Sequence, residues 1–207
     1  MAAKKEIGRA ELNEKWGFLR EHSSKASGTD PLTGLHRTGL DKYLEVIFPE
    51  TTDWVHDKQF GLHGDKKYSI RPDYRSDSLK LLVEFDGLPH YQDPNVIKKD
   101  GENTAIYMQN GYKVVRIPYF IQLTNDAVEK LFGVIVEEPL FNVSYPSLGG
   151  TDMKHNPSCL CPEGLKRMAR EFKRFPEQYM VNLKSLKEMN DDMLSGVSYL
   201  EEEYRKQ

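Results

Sequence analysis

Apolar residues recur at helical spacing at Leu40, Tyr43, Leu44, Ile47 and Phe48, which predicts an amphipathic helix over residues 39–48, stopped by Pro49. Shorter apolar-rich runs bounded by turn residues follow. They predict strands over 54–60, 67–73 and 79–86, with a tight turn at 61–66 between the first two. Residues 96–110 suit a helix with Ile97, Ala105, Ile106 and Met108 on its buried side, ended by Asn110-Gly111. A fourth strand is expected over 112–118 and a short helix over 125–132. Upstream, residues 3–22 read as a polar helix with Ala10, Leu12, Trp16 and Leu19 on its apolar side, and 23–33 as a Ser/Gly/Pro-rich connection. Downstream, residues 138–162 are rich in Pro, Gly, Ser and Asn and read as a long connection. A helix over 162–175 and one or two more over 176–204 complete the chain. This order predicts an α/β protein with a mixed sheet flanked by helices and a helical C-terminal extension. The helical crossover between the third and fourth strands makes those two parallel. The expected division is an N-terminal helical segment (1–38), a core (39–137), and a connection with a helical C-terminal region (138–207).

A chain of 207 residues fits one substantial domain, or one with a smaller appendage. Its 29% charged residues imply a well-solvated surface, and a net charge of −3 neither indicates nor excludes a polyanion partner. No apolar run has the length of a membrane span, and Lys4-Lys5 is not followed by the apolar stretch of a signal peptide, so a cytoplasmic protein is expected. Cys159 and Cys161, one residue apart, are poorly placed for a disulfide and are expected to be free. With His155 they would make three zinc ligands, and no fourth stands out.

The chemistry lies in Arg71-Pro72-Asp73 and, ten residues on, Val83-Glu84-Phe85-Asp86-Gly87-Leu88-Pro89-His90-Tyr91. On a strand, Glu84 and Asp86 share a face while Val83 and Phe85 point to the other. Antiparallel pairing of 68–73 with 79–85, through a turn at Ser76-Asp77-Ser78, brings Asp73 to the same face. Three carboxylates at one place repel unless a positive charge sits among them, and a hard divalent cation with oxygen ligands is the economical solution.

These residues resemble the PD-(D/E)XK nucleases, the restriction-endonuclease-like fold. The likeness is to the branch of very-short-patch repair endonucleases, whose Glu-x-Asp-Gly-x-x-His strand precedes a helix and a Gly-Tyr-x-Val-x-Arg strand. Here those motifs read Glu84-Phe85-Asp86-Gly87-Leu88-Pro89-His90 and Gly111-Tyr112-Lys113-Val114-Val115-Arg116, in under half of the chain. The resemblance implies that Asp73, Glu84 and the Phe85 carbonyl bind a catalytic Mg²⁺, with Mn²⁺ as a substitute. Glu45 matches the acid that many members carry on the helix before the sheet. Asp86 stands where most members have the catalytic lysine, and is expected to add to the metal site. His90, ahead of Lys80, Lys98 and Lys99, is expected to fill the lysine's role, because an imidazole exchanges protons near neutrality. Asp93 and Asp100 are expected to initiate and line the next helix.

Lys166, Arg170, Lys173 and Arg174 share a helical face and form a basic stripe suited to DNA phosphates. Tyr145, His155 and Asn156 are candidates for contacting base edges. The implied activity is metal-dependent hydrolysis of phosphodiester bonds in double-stranded DNA by a site-specific restriction or nicking endonuclease. Cutting both strands would use a homodimer, a partner nuclease subunit or successive nicks. The alternatives are an inert nucleic-acid-binding module of the same fold, and a structure-specific, mismatch or RNA nuclease.

Overall fold

Along one central strand Leu81, Val83 and Phe85 alternate with Leu82, Glu84 and Asp86, and the two sets face different layers. The computed structural model describes residues 40–149 and 155–207, so the helix expected over 3–22 lies outside the described residues. A mixed four-stranded sheet is formed by β1 (Val55–His56), β4 (Tyr74–Ser76), β5 (Leu81–Asp86) and β6 (Lys113–Pro118), in that spatial order. Strands β2 (Gly61–His63) and β3 (Lys66–Tyr68) form a separate hairpin between β1 and β4. β4 runs antiparallel to β5, with Tyr74 opposite Val83; β6 runs parallel to β5, with Arg116 beside Glu84.

The expected strand over 67–73 is divided. Pro72 has no amide hydrogen to give to a ladder, so pairing with β5 resumes only at Tyr74 and the chain turns at residues 77–80. Asp53 holds that turn by accepting hydrogen bonds from Ser76 Oγ (2.7 Å), Ser78 N (2.8 Å) and Ser78 Oγ (2.9 Å). The Ser76 bond is the largest cause of an Asp53 pKa lowered to about 2. The strand expected over 54–60 shrinks to two residues.

One layer of apolar side chains joins α1 (Asp41–Ile47), the Leu81/Val83 face of the sheet, α4 (Asn125–Phe132) and the C-terminal helices α5 (Pro162–Arg174), α6 (Pro176–Glu188) and α8 (Val197–Lys206). A short helix α7 (Asp192–Ser195) links the last two, so residues 176–204 hold three helices. The opposite face is covered by α3 (Pro94–Gln109), which follows the single turn of α2 (Pro89–Gln92). α3 begins earlier than expected, because the Asp93 side chain accepts from the Asn95 amide (2.8 Å) and Pro94 suits the first helical turn. Its inner face is also not the expected one. Ala105 is exposed and Met108 is 62% exposed, whereas Asp100 and Tyr107 are buried, because this helix packs on a charged stretch of the sheet.

α5 lies against α2 at backbone contact. The Cys161 amide donates to the Tyr91 carbonyl (3.1 Å), and a Cβ at Gly164 would stand 1.8 Å from that oxygen. Gly164→Ala therefore forces the two backbones apart, at a cost of about 3 kcal/mol, read as a lowered urea midpoint. Cys161 Sγ accepts from the Gly164 amide (3.3 Å), so this thiol caps α5; both cysteines are free. No described helix is long and apolar enough to cross a membrane.

Candidate active site

The break at Pro72 places Asp73 immediately before β4, one residue beyond the ladder and beside Glu84 of β5. The two acids meet directly: the Asp73 amide donates to Glu84 Oε2 (3.2 Å), and Asp73 Oδ2 accepts from the Phe85 amide (2.7 Å). Burial, and then the negative charge of Asp73, push the Glu84 carboxyl up to about 8 against the pull of Arg116. Tyr107 of α3 reaches the same carboxylate. Burial and then Glu84 hold its hydroxyl well above the ordinary phenol value.

Asp86 follows two residues on, at the end of β5, and its surroundings are different. Its side chain is fully buried, and both of its oxygens are taken by guanidinium groups. Arg116 binds it through Nε (2.8 Å) and a second, shorter contact, and Arg167 of α5 adds another. The same two arginines bind Asp100, at 3.0 Å from Arg116 and 2.8 Å from Arg167. Two carboxylates thus interleave with two guanidinium groups. Burial alone would lower the pKa of Arg116, but its ties to Asp86, Asp100 and Glu84 raise it further. For Asp100 burial pulls the pKa up, and the His90, Arg116 and Arg167 contacts outweigh it and bring it down.

His90 completes the cluster, with Nδ1 2.8 Å from Asp100 Oδ2 and 3.5 Å from Asp86 Oδ1. An ionised carboxylate only accepts, so Nδ1 carries the proton and Nε2 is left as the basic nitrogen. Arg167 is fixed from the other side by Glu171 (3.1 Å), which accepts from the Tyr91 hydroxyl (2.6 Å), and its guanidinium lies over the Tyr91 ring.

Ligand atoms of Asp86, His90 and Asp100 all lie within 4.8 Å of one another, a grouping that fits a metal ion by distance alone. Charge argues otherwise, since Arg116 and Arg167 already match both carboxylates, and a divalent ion there would stand among guanidinium groups. Asp73 and Glu84 instead crowd each other, and burial with the Asp73 charge outweighs the pull of Arg116 on Glu84. Of the metal ligands expected from sequence, Asp73, Glu84 and Phe85 thus come together, while Asp86 is committed to ion pairs.

Glu45 is exposed on α1 and forms no hydrogen bond or ion pair among the described residues. Lys80 sits at the opposite end of β5 from Asp86, about 13 Å along the strand from Glu84, with its ammonium over the Tyr112 ring. Lys98 is exposed and pairs with Glu102 (3.9 Å), and Lys99 is exposed. Lys166, Arg170, Lys173 and Arg174 are all exposed on α5, but they do not act as one stripe. Arg170 and Arg174 line a cleft beside Arg116, whereas the Lys173 ammonium lies over Tyr204 (4.0 Å). Asn156, expected to face bases, is fully buried and accepts from the Gly149 amide (2.9 Å). The Tyr119 hydroxyl donates to the His155 carbonyl (2.7 Å), and the Tyr145 ring meets Phe141.

Arg167 and Asp100 are site residues that the sequence reading did not select. For Arg167 the one local signal was Glu171, one turn later on the same helical face. Against family models, curated proteins and solved structures, the chain finds no match.

Proposed function

We propose that the chain is a metal-dependent endodeoxyribonuclease of the PD-(D/E)XK type, with a restriction-endonuclease-like fold, that hydrolyses phosphodiester bonds in duplex DNA. The observation that carries this reading is the meeting of Asp73 and Glu84 through the Asp73 amide, where burial and the Asp73 charge together oppose ionisation of Glu84. Asp73, Glu84 and the Phe85 carbonyl would hold the cation, which when bound would neutralise the scissile phosphate and acidify a water. Oxygen donors on a rigid strand suit Mg²⁺.

The protein's own groups do the rest. His90, with its tautomer fixed by Asp100, offers Nε2 to take a proton from the attacking water, in place of the lysine that Asp86 replaces. Tyr107 and Arg116 flank Glu84 and orient it. Arg116 also adds a fixed positive charge beside the phosphate site. The Asp86 to Arg167 cluster ties β5, β6, α3 and α5 into one support behind these groups. A single centre of this kind cuts one strand per encounter, so a nicking enzyme or a dimeric restriction enzyme follows.

Relaxation of supercoiled plasmid tests the reading. Nicked or linear product is expected in Mg²⁺, none in EDTA, and none from Asp73→Asn in either condition. DNA binding by the parent chain without cleavage in Mg²⁺ or Mn²⁺ would instead favour the inert module, which the guanidinium-bound Asp86 at the lysine position would suit.

A further inference from the structure

We propose that the cleft between α3 and α5 seats the sugar–phosphate backbone of duplex DNA, with one phosphate held between Arg170 and Arg174. Its place next to the scissile bond rests on the nuclease reading; its binding of DNA does not. The cleft has a volume of about 390 Å³, and Gly101 and Thr104 of α3, Arg116 of β6, and Arg167, Arg170 and Arg174 of α5 are among its walls.

Charge is the first argument. Arg116 and Arg167 are bound by Asp86 and Asp100, and Glu171 is committed to Arg167 and Tyr91. Arg170 and Arg174 have no carboxylate partner among the described residues; the Arg174 guanidinium lies 5.4 Å from the Phe175 ring. The three carboxylates of the lining and its backing are thus all held by Arg116 and Arg167, and none pairs with Arg170 or Arg174. The two unmatched cations stand one helical turn apart, where like charges repel and an anion between them removes the repulsion.

Gly101 is the second argument. It lies inside α3, with no left-handed backbone angle, and a Cβ placed on it would meet nothing within 4 Å. Neither conformation nor packing calls for glycine there, and alanine would favour the helix by about 1 kcal/mol. What the missing side chain does is keep the wall of the cleft low, so that a bulky chain can approach the helix closely.

Continuity is the third. Arg116 is beside Glu84 in the β5–β6 register and is also part of the cleft wall, so cleft and carboxylate pair adjoin on one face of the sheet. A backbone lying along α5 at Arg170 and Arg174 therefore continues toward Asp73 and Glu84. A phosphate contact positions without reading sequence, so the cleft is a sequence-independent grip.

The test compares the parent with an Arg170→Gln/Arg174→Gln double variant, both exposed sites, on two labelled duplexes of unrelated sequence. Binding is measured in Ca²⁺ across a KCl series. The expected result is a fall of about 1 in the slope of log affinity against log salt, as one phosphate contact is lost, with an equal loss on both duplexes. Ca²⁺ binding to the protein alone, by calorimetry, is expected to be unchanged. Gly101→Gln, which fills the cleft but removes no charge, is expected to weaken binding with the slope retained. An unchanged slope in the double variant, a loss on one duplex only, or a parent that binds neither duplex overturns the proposal. Cleavage by the parent is read separately. A parent that cuts while the slope is unchanged rejects the cleft and keeps the nuclease; a reduced slope with no cutting keeps the cleft as a DNA seat and rejects the nuclease.

Discussion

Glu84→Gln is expected to lower Mg²⁺-dependent cleavage by about 10³-fold or more and, at the same time, to stabilise the metal-free protein. The first effect follows because a cation contributes several kcal/mol to stabilising charge in the transition state, and each 1.4 kcal/mol is about tenfold in rate. The second follows from the burial of Glu84 and then its crowding with Asp73. Its carboxyl moves from an ordinary value of 4.5 to about 8 in the fold. Between those values the unfolded chain has released a proton that the folded chain retains, so stability falls as pH rises from the lower to the higher value and stays low above it. Glutamine is neutral throughout and removes that loss. Melting curves in EDTA from pH about 5 to about 9 should therefore slope downward for the parent more steeply than for Glu84→Gln. Mg²⁺ should raise the parent's melting temperature most at the alkaline end, where both carboxylates are ionised. A variant that still cuts, or parent melting curves without the pH slope, would contradict the metal assignment. A Glu84 held ionised by its neighbours would lose stability on substitution rather than gain it.

The sequence disclosed those elements whose ends carry their own chemistry. Helix α4 starts where the Thr124 side chain accepts from the Ala127 amide and stops at Gly133 in the left-handed region, and its range agrees with the apolar spacing. The parallel pairing of β5 with β6 follows from the helical crossover. The alternation in β5 put Glu84 and Asp86 on one face, as found. Pro72 was visible, yet its consequence depends on which amides the ladder needs, and that is a property of the partner strand. The inner face of α3 was misread because periodicity assumes that a buried face is apolar. Ile97, Asp100, Thr104 and Tyr107 do keep helical spacing, but Asp100 is buried and Thr104 half-buried where Arg116, Arg167 and His90 supply polar partners. Arg167 is 81 residues from Asp86, and no local pattern encodes such a partner.

That distance makes Asp86 the place where stability and chemistry are most easily confused, and Asp86→Ala separates them. The carboxylate is fully buried and bound by Arg116 and Arg167, so its removal leaves two partly buried guanidinium groups bridged by Asp100 alone, with Glu171 still on Arg167. Breaking such a pair from one side costs about 3–5 kcal/mol, because the desolvation of the remaining charge is no longer offset. The expected result is a large drop in the urea midpoint with an unchanged slope, and a comparable drop for Arg167→Ala. In a double-mutant cycle the two losses should be far from additive, since each substitution destroys the same contact. Asp86→Asn keeps shape and one acceptor, and should fall between. The folded fraction of Asp86→Asn should bind Mg²⁺ with the parent's stoichiometry, because the cation is assigned to Asp73 and Glu84. If Asp86 were instead a ligand, the asparagine variant would lose cation affinity while its stability without metal rose, the pattern expected of Glu84→Gln. The two substitutions stand two residues apart on one strand face, and opposite signs for their effect on the metal-free fold distinguish an ion-pair hub from a cation site.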